Sequence, residues 1–171
     1  MKKLLIVIDM QNDFIDGSLG TPEAVAIVDA VKDKIRSYPA GDIFATMDTH
    51  GPDYLCTQEG RNLPVEHCIQ GTEGWHIRPD IAELLTEAAI FEKPTFGSVQ
   101  MAEAVKEIED LEEIELIGLC TDICVVSNAL LLKATLPEVK ISVDASCCAG
   151  VTQEKHLAAL ETMRSCQIEV R

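Results

Sequence analysis

Short apolar runs alternate with amphipathic stretches along the whole chain. Leu4-Leu5-Ile6-Val7-Ile8 is a continuous apolar run, the pattern of a strand buried on both faces. Pro22 to Arg36 reads as a helix. Thr21 can cap it, Pro22 takes the first helical position, and Val25, Val28 and Val31 or Ile35 recur on one face. Further strands are expected at Asp42 to Met47, Ala89 to Glu92, Ile114 to Gly118, Lys140 to Val143 and Gln167 to Val170. Helices are expected at Arg78 to Thr86, Val99 to Glu109, Asp122 to Ala134 and Gln153 to Ser165. Asp53 to Trp75, with Gly60, Pro64, Gly71 and Gly74, follows neither period. An irregular segment of that length inside a compact domain usually has a function.

Strands that alternate with helices need crossover connections, which give a mostly parallel sheet covered on both faces. The expected fold class is therefore α/β. It is a three-layer αβα sandwich around an open six-stranded sheet of order 3-2-1-4-5-6, one domain over residues 1–171. Such sheets bind ligands beyond the carboxyl ends of their strands, where the strand order reverses. Here that point lies between the first and fourth strands.

Composition narrows the partners. The 171 residues carry 29 acidic and 14 basic side chains, a formal charge of −15. Nucleic acid and anionic membranes need a basic face and are excluded as main partners. No apolar run reaches the roughly 18 residues of a membrane span. The basic start Met1-Lys2-Lys3 leads into an apolar run that stops at Asp9, short of a signal h-region, so a cytoplasmic protein is expected. Seven cysteines are an odd count, and no pair of C-x-x-C knuckles occurs. Neither a disulfide framework nor a zinc ribbon is expected, and most of these thiols should be buried as small hydrophobes.

The residues just after the strands hold the candidate chemistry. Asp9 follows the first strand, Asp48 and His50 the second, Lys93 the third, and Gly118-Leu119-Cys120-Thr121-Asp122-Ile123-Cys124 the fourth. Cys124 is the candidate nucleophile. With Thr121 or Asp122 as N-cap it stands in the first turn of a helix, where free N–H groups favour a thiolate and can hold an oxyanion. Cys120 fits a turn residue that adds its N–H to that hole. Asp9, desolvated at a strand end, suits a proton shuttle, and Lys93 can pair with it or with the thiolate. Asp48 and His50 point to one side of an extended segment, and His67 can return from the irregular loop to complete a site for a divalent transition metal. Glu59 in the same loop is a further possible ligand, although a solvated carboxylate is its expected state. Phe14 could stack on a flat substrate or belong to the core. Trp75 reads as core, and His76 and His156 lack chemical company, His156 reading as a structural hydrogen-bonder.

Taken together, Ile8-Asp9-Met10-Gln11-Asn12-Asp13-Phe14, Thr46-Met47-Asp48-Thr49-His50, His67-Cys68-Ile69-Gln70-Gly71-Thr72-Glu73-Gly74, Lys93 and Gly118 to Val125 are similar in order and spacing to the isochorismatase-like cysteine hydrolases. The chain most resembles their nicotinamidase-related branch, essentially from end to end. The resemblance implies a catalytic triad of Asp9, Lys93 and Cys124. It implies an oxyanion hole from the N–H groups of Cys120 and Cys124, and a cis peptide between Leu119 and Cys120. It implies a metal on Asp48, His50 and His67, with zinc expected and iron or manganese as alternatives. In nicotinamidases the metal binds the ring nitrogen of the substrate, directly or through water. Isochorismatases proper lack the cysteine, so Cys124 points to an amide C–N bond. Phe14 and Leu119 are the expected pocket residues, the substrate is a small carboxamide, and a homo-oligomer is expected. Compared with typical nicotinamidases the chain is shorter. The extra acidic ligand of some members would fall near Gly60, where Glu59 is the neighbour.

Two other readings stand beside nicotinamide hydrolysis. One is a relative acting on N-carbamoyl or ureido compounds, which needs no metal for its chemistry. The other, from a different class, is a non-catalytic metal or redox module with Cys120 and Cys124 as a thiol pair.

Overall fold

The computed structural model describes residues 2–171; Met1, at the head of the basic start, lies outside them. One six-stranded sheet runs in the order β3-β2-β1-β4-β5-β6, with every neighbouring pair parallel. Its strands are β1 (Lys2–Ile8), β2 (Ile43–Asp48), β3 (Ala89–Lys93), β4 (Leu111–Leu119), β5 (Lys140–Ala149) and β6 (Glu169–Val170). The helices are α1 (Asn12–Ile15), α2 (Pro22–Ala26), α3 (Val28–Arg36), α4 (Gln58–Asn62), α5 (Pro79–Ala82), α6 (Val99–Lys106), α7 (Val126–Thr135) and α8 (Gln153–Ser165).

The two-residue period of β1 sorts its side chains onto two cores. Leu5 and Val7 pack with Ile43, Ala45 and Ile117 against Ala24, Val31 and Ile81 of α2, α3 and α5. Leu4, Ile6 and Ile8 pack with Ile114, Leu116 and Val143 against Met101, Leu132 and Leu160 of α6, α7 and α8. All five apolar residues of β1 are at most 1% exposed. Each such burial stabilises by about 1.5–3 kcal/mol, so the strand that ends in Asp9 is held from both sides.

Several elements differ from the pattern-based expectation. The helix expected over Pro22 to Arg36 is interrupted at Ile27, in a stretch rich in β-branched residues that crowd a helix. Thr21 does cap it, its Oγ1 accepting from Ala24 N at 3.0 Å. The helix expected from Arg78 is only Pro79–Ala82. β5 runs on to Ala149 through an irregularity, Leu116 pairing with Val143 but Gly118 with Cys148. The extra β5 residues include Asp144 and Ser146, whose backbone and side chains bond each other. Their polarity breaks the apolar run from which the strand was read.

Gly118 permits the close approach of β1 and β4 at the switch point. Its φ is +117°, and a Cβ there would lie 2.1 Å from the Ile8 carbonyl oxygen. The Leu119–Cys120 peptide is cis. No helix among the described residues is long and apolar enough to cross a membrane.

Candidate active site

The switch point gathers the strand-end residues. Asp9 and Lys93 are at most 1% exposed, and Cys124 is buried beside them. Lys93 Nζ lies 2.7 Å from Asp9 Oδ2 and 3.5 Å from Asp48 Oδ1. It donates to Cys124 Sγ at 3.4 Å and to the Thr95 carbonyl at 3.1 Å. Asp9 holds a left-handed backbone, φ +47°, which is uncommon for a non-glycine residue and concentrates at functional sites. Thr46 Oγ1 donates to Asp9 Oδ1 at 2.7 Å. Asp9 Oδ2 takes the Lys93 ammonium as its ion-pair partner.

Electrostatics follow from this burial. Desolvation pushes the Asp9 carboxyl up; Lys93 opposes that, and the charge of Asp48 adds to it. Desolvation and the charge of Asp9 also push the Cys124 thiol well above its ordinary range, with Lys93 opposing. Burial alone would lower the Lys93 ammonium, but Asp9, Cys124 and Asp48 together hold it above its ordinary value. Burial thus favours the thiol form of Cys124, against the pull of a helix start toward a thiolate. The cap also differs from expectation. Cys120 is the N-cap of a widened turn, Thr121–Val125, that precedes α7. Thr121 and Asp122 do not cap it; Thr121 Oγ1 pairs with His156 Nδ1 at 2.8 Å, and Asp122 Oδ1 accepts from Val151 N at 2.9 Å. His156 is thus the hydrogen-bonder its sequence position suggests.

Beside this trio stand four donors from β2 and the irregular segment. One ligand atom from each of Asp48, His50, Glu59 and His67 lies within 4.8 Å of all the others. Asp48 Oδ2 is 2.9 Å from His50 Nε2 and 3.4 Å from His67 Nε2. Glu59 Oε1 is 3.7 and 3.8 Å from the same two nitrogens. Bonds of about 2.1 Å to a tetrahedral ion put ligand atoms about 3.4 Å apart, so these donors fit a metal. His67 Nδ1 lies 2.8 Å from the Val65 carbonyl, which accepts from it and leaves Nε2 to face the carboxylates. Glu59 is therefore part of the cluster and not the solvated loop carboxylate expected. Thr57, whose Oγ1 accepts from Gly60 N at 3.0 Å, starts the short α4 that presents it.

A small, mostly apolar cavity opens onto both groups. Phe14, Leu19, Leu63, Phe96 and Ile123 form its apolar wall, with Asp48, Glu59, His67, Cys120 and Cys124 as the polar side. Phe14 lines the cavity and packs on His67, ring centroids 5.5 Å apart. Leu119 does not line the cavity. As the last residue of β4 it points into the core with Ile117 and is fully buried, and Cys120 takes its place at the pocket. Trp75 packs against the core as expected, its indole N–H donating to Thr49 Oγ1 at 2.9 Å. All seven cysteines are free thiols.

The sequence profile of the isochorismatase domain matches residues 3–171. The chain belongs to the isochorismatase family. Within that family it is 28% identical over 185 aligned positions to the nicotinamidase/pyrazinamidase of Mycobacterium tuberculosis, spanning 98% of this chain and 97% of that one. The crystal structure of the pyrazinamidase of Pyrococcus horikoshii in complex with zinc superposes with a TM-score of 0.86 at 27% identity, over 100% of this chain and 99% of that chain. N-carbamoylsarcosine amidase from Thermoplasma acidophilum superposes with a TM-score of 0.77 at 25% identity, over 100% and 96% of the two chains.

Some residues of this isochorismatase-family site carry no signal of their own in the sequence. Gln11 reads as a loop cap, yet it is fully buried and splints the metal strand: its Nε2 donates to the carbonyls of Asp48 at 2.8 Å and Trp75 at 2.7 Å, and its Oε1 accepts from Asp48 N at 2.7 Å. Asp13 Oδ2 accepts from Cys68 N at 2.8 Å and so ties down the loop that carries His67. Thr46 is hidden within an apolar strand. Leu63 and Phe96, on two separate loops, meet only in the folded chain.

Proposed function

We propose that the protein is a metal-assisted cysteine amidohydrolase of small flat carboxamides, nicotinamide or a close analogue, working through a thioester on Cys124. One observation carries this reading. Lys93 Nζ contacts both Asp9 Oδ2, at 2.7 Å, and Cys124 Sγ, at 3.4 Å, beside a mostly apolar cavity lined by Cys124. A carboxylate raised by burial, a cation and a thiol in that order suit proton removal from sulfur.

In this mechanism Asp9, whose Oδ2 is paired with the Lys93 ammonium at 2.7 Å, takes the thiol proton. Lys93 balances the resulting thiolate. Sulfur attacks the amide carbon, and the N–H groups of Cys120 and Cys124 hold the oxyanion. The protonated Asp9 gives its proton to the leaving nitrogen, so that the C–N bond breaks and ammonia departs. Water then adds to the thioester with Asp9 again as base, and the carboxylic acid product leaves the free thiol. A divalent ion, zinc in this proposal, would be held by Asp48, His50, Glu59 and His67 and would supply a Lewis-acid anchor for a donor atom of the substrate.

The pocket wall supports an uncharged carboxamide over an acid-bearing ureido compound. None of the described residues that line the cavity is Lys or Arg, and Asp48 and Glu59 are on its polar side. A substrate carboxylate would meet no cationic side chain on that wall. The reading also includes a cytoplasmic location and a homo-oligomer, which light scattering on the purified protein tests.

Ammonia release from nicotinamide, pyrazinamide, ureidoacrylate and an N-carbamoyl amine is the direct assay. Turnover of the first two is expected, and it should be lost in Cys124→Ala with metal content intact. A fully active Cys124→Ala would sink the covalent mechanism. An acyl or aldehyde adduct on Cys124 would exclude the non-catalytic thiol module.

A further inference from the structure

Asn128 is fully buried on α7, flanked by Ala129 and Val125 of the apolar core. A buried amide costs stability unless its donors and acceptor are all satisfied. Here they are, and by two different parts of the chain. Oδ1 accepts from Ser98 N at 2.8 Å, and Nδ2 donates to the Phe96 carbonyl at 3.1 Å and to the Cys124 carbonyl at 2.8 Å.

Two of these bonds go to the segment that follows Lys93, and the third goes to the turn that carries Cys124. The same segment fixes the ammonium from its other end, because Lys93 Nζ donates to the Thr95 carbonyl at 3.1 Å. The 3.4 Å contact between Lys93 Nζ and Cys124 Sγ therefore spans two chain segments that Asn128 joins directly. Phe96, in the bonded segment, also belongs to the cavity wall. Few side chains other than Asn can do this. It must accept once and donate twice within the reach of a short stem.

We propose that Asn128 is a positioning residue for the reaction: it locks the Lys93 segment to the Cys124 turn and so sets the register of ammonium and sulfur. The inference rests on the reading of Cys124 as nucleophile and Lys93 as its cation. Misplacing reacting groups by about 1 Å can cost about 100-fold in rate.

The test compares kcat, KM and melting temperature for Asn128→Ala, Asn128→Thr and Asn128→Asp, with nicotinamide and pyrazinamide as probe amides. Thr can keep only the bond to the Cys124 carbonyl, and Asp only the bond from Ser98 N. Leu132→Ala, a fully buried apolar truncation on the same helix, is the stability control. All three Asn128 variants should lose about 10- to 100-fold in kcat, with KM rising by less than kcat falls. Leu132→Ala should melt earlier yet keep kcat within about twofold. Thr and Asp cover the case in which the Ala variant fails to fold. Three results would overturn the inference: an Asn128 variant with wild-type kcat, rescue by Thr alone, or a Leu132→Ala loss of kcat as large as that of Asn128→Ala. Absent amide turnover by the wild type overturns the functional reading as well. Wild-type turnover that is lost in Cys124→Ala but kept in Asn128→Ala overturns this inference alone.

Discussion

Thr46→Val removes a single oxygen from the proposed base and changes little else. Thr46 is fully buried, and its Oγ1 donates to Asp9 Oδ1 at 2.7 Å. Valine has nearly the same shape, and the backbone bond from Asp9 N to the Thr46 carbonyl, 3.2 Å, needs no side chain. The left-handed conformation of Asp9 should therefore survive. A hydrogen bond to a charged group contributes about 1.5–3 kcal/mol. At about 1.4 kcal/mol per pKa unit, its loss raises the Asp9 pKa by about one to two units. The direction is upward because the lost donor favoured the ionised form, and burial already pushes this carboxyl up.

If Asp9 must be ionised to take the thiol proton, the acid limb of kcat/KM against pH moves up by the same one to two units. The alkaline plateau falls much less. Stability follows with a definite sign. A carboxyl whose folded pKa exceeds its ordinary 3.8 takes up a proton on folding between those two values. Its contribution is full below the ordinary value and is lost as pH rises to the folded one. Thr46→Val widens that interval at its upper end, so its stability deficit against wild type grows as pH rises through the folded pKa. Rate profiles on nicotinamide or pyrazinamide, and urea unfolding as a function of pH, measure both. An acid limb that stays within about 0.3 units, or moves down, would refute Asp9 as the base.

Glu59→Gln should weaken zinc binding by about tenfold or more, as measured by competition with a chelator, and unchanged affinity would remove Glu59 from the donor set. Burial lowers the pKa of His156, with the charge of Asp122 opposing, so the folded imidazole resists protonation. The unfolded state then binds more protons below the ordinary value of 6.5, and wild-type stability should fall as pH drops from there through the folded pKa. His156→Asn can keep a bond to Thr121, and unfolding measured from pH 7.5 to 5 should show a flatter slope; an unaltered slope would clear His156. Gly118→Ala drives a Cβ to 2.1 Å from the Ile8 carbonyl oxygen at φ +117°, and a loss of more than about 4 kcal/mol is expected by urea unfolding. A near-neutral effect would mean that β1 and β4 can part at the switch point.

The strand order was legible because each strand is a short apolar run ended by a polar residue, and chain order with right-handed crossovers leaves few arrangements. The same logic puts Asp9, Asp48, Lys93 and Cys124 at one edge of the sheet. Three kinds of feature were not legible. Residues that act by hydrogen-bonding backbone, such as Gln11 and Asn128, look like ordinary loop or helix polar residues, since they bond to segments 30 or more positions away, Asn128 in addition to the nearby Cys124 carbonyl. The pocket wall joins Leu19, Leu63, Phe96 and Ile123 from four segments that share no period. Leu119 lies in the core because it ends β4 on the same face as Ile117, whereas Cys120, beyond the strand, reaches the cavity.

Charge shows why global and local readings diverge. The chain as a whole carries −15, which speaks only to partners at long range. Within the site, the carboxylates of Asp9, Asp48 and Glu59 face a single ammonium, Lys93, so three negative charges less one positive leave an excess of two. Two responses to such an excess are available to a buried cluster. Carboxyls can take up protons, and burial pushes both Asp9 and Glu59 that way. A divalent ion among the four donors would balance the same excess without protons and would keep Asp9 available as the proposed base. The acidic donor from the irregular segment therefore belongs to the chemistry of Asp9 as much as to metal affinity, which is why its burial beside His50 and His67 matters more than the chain's net charge.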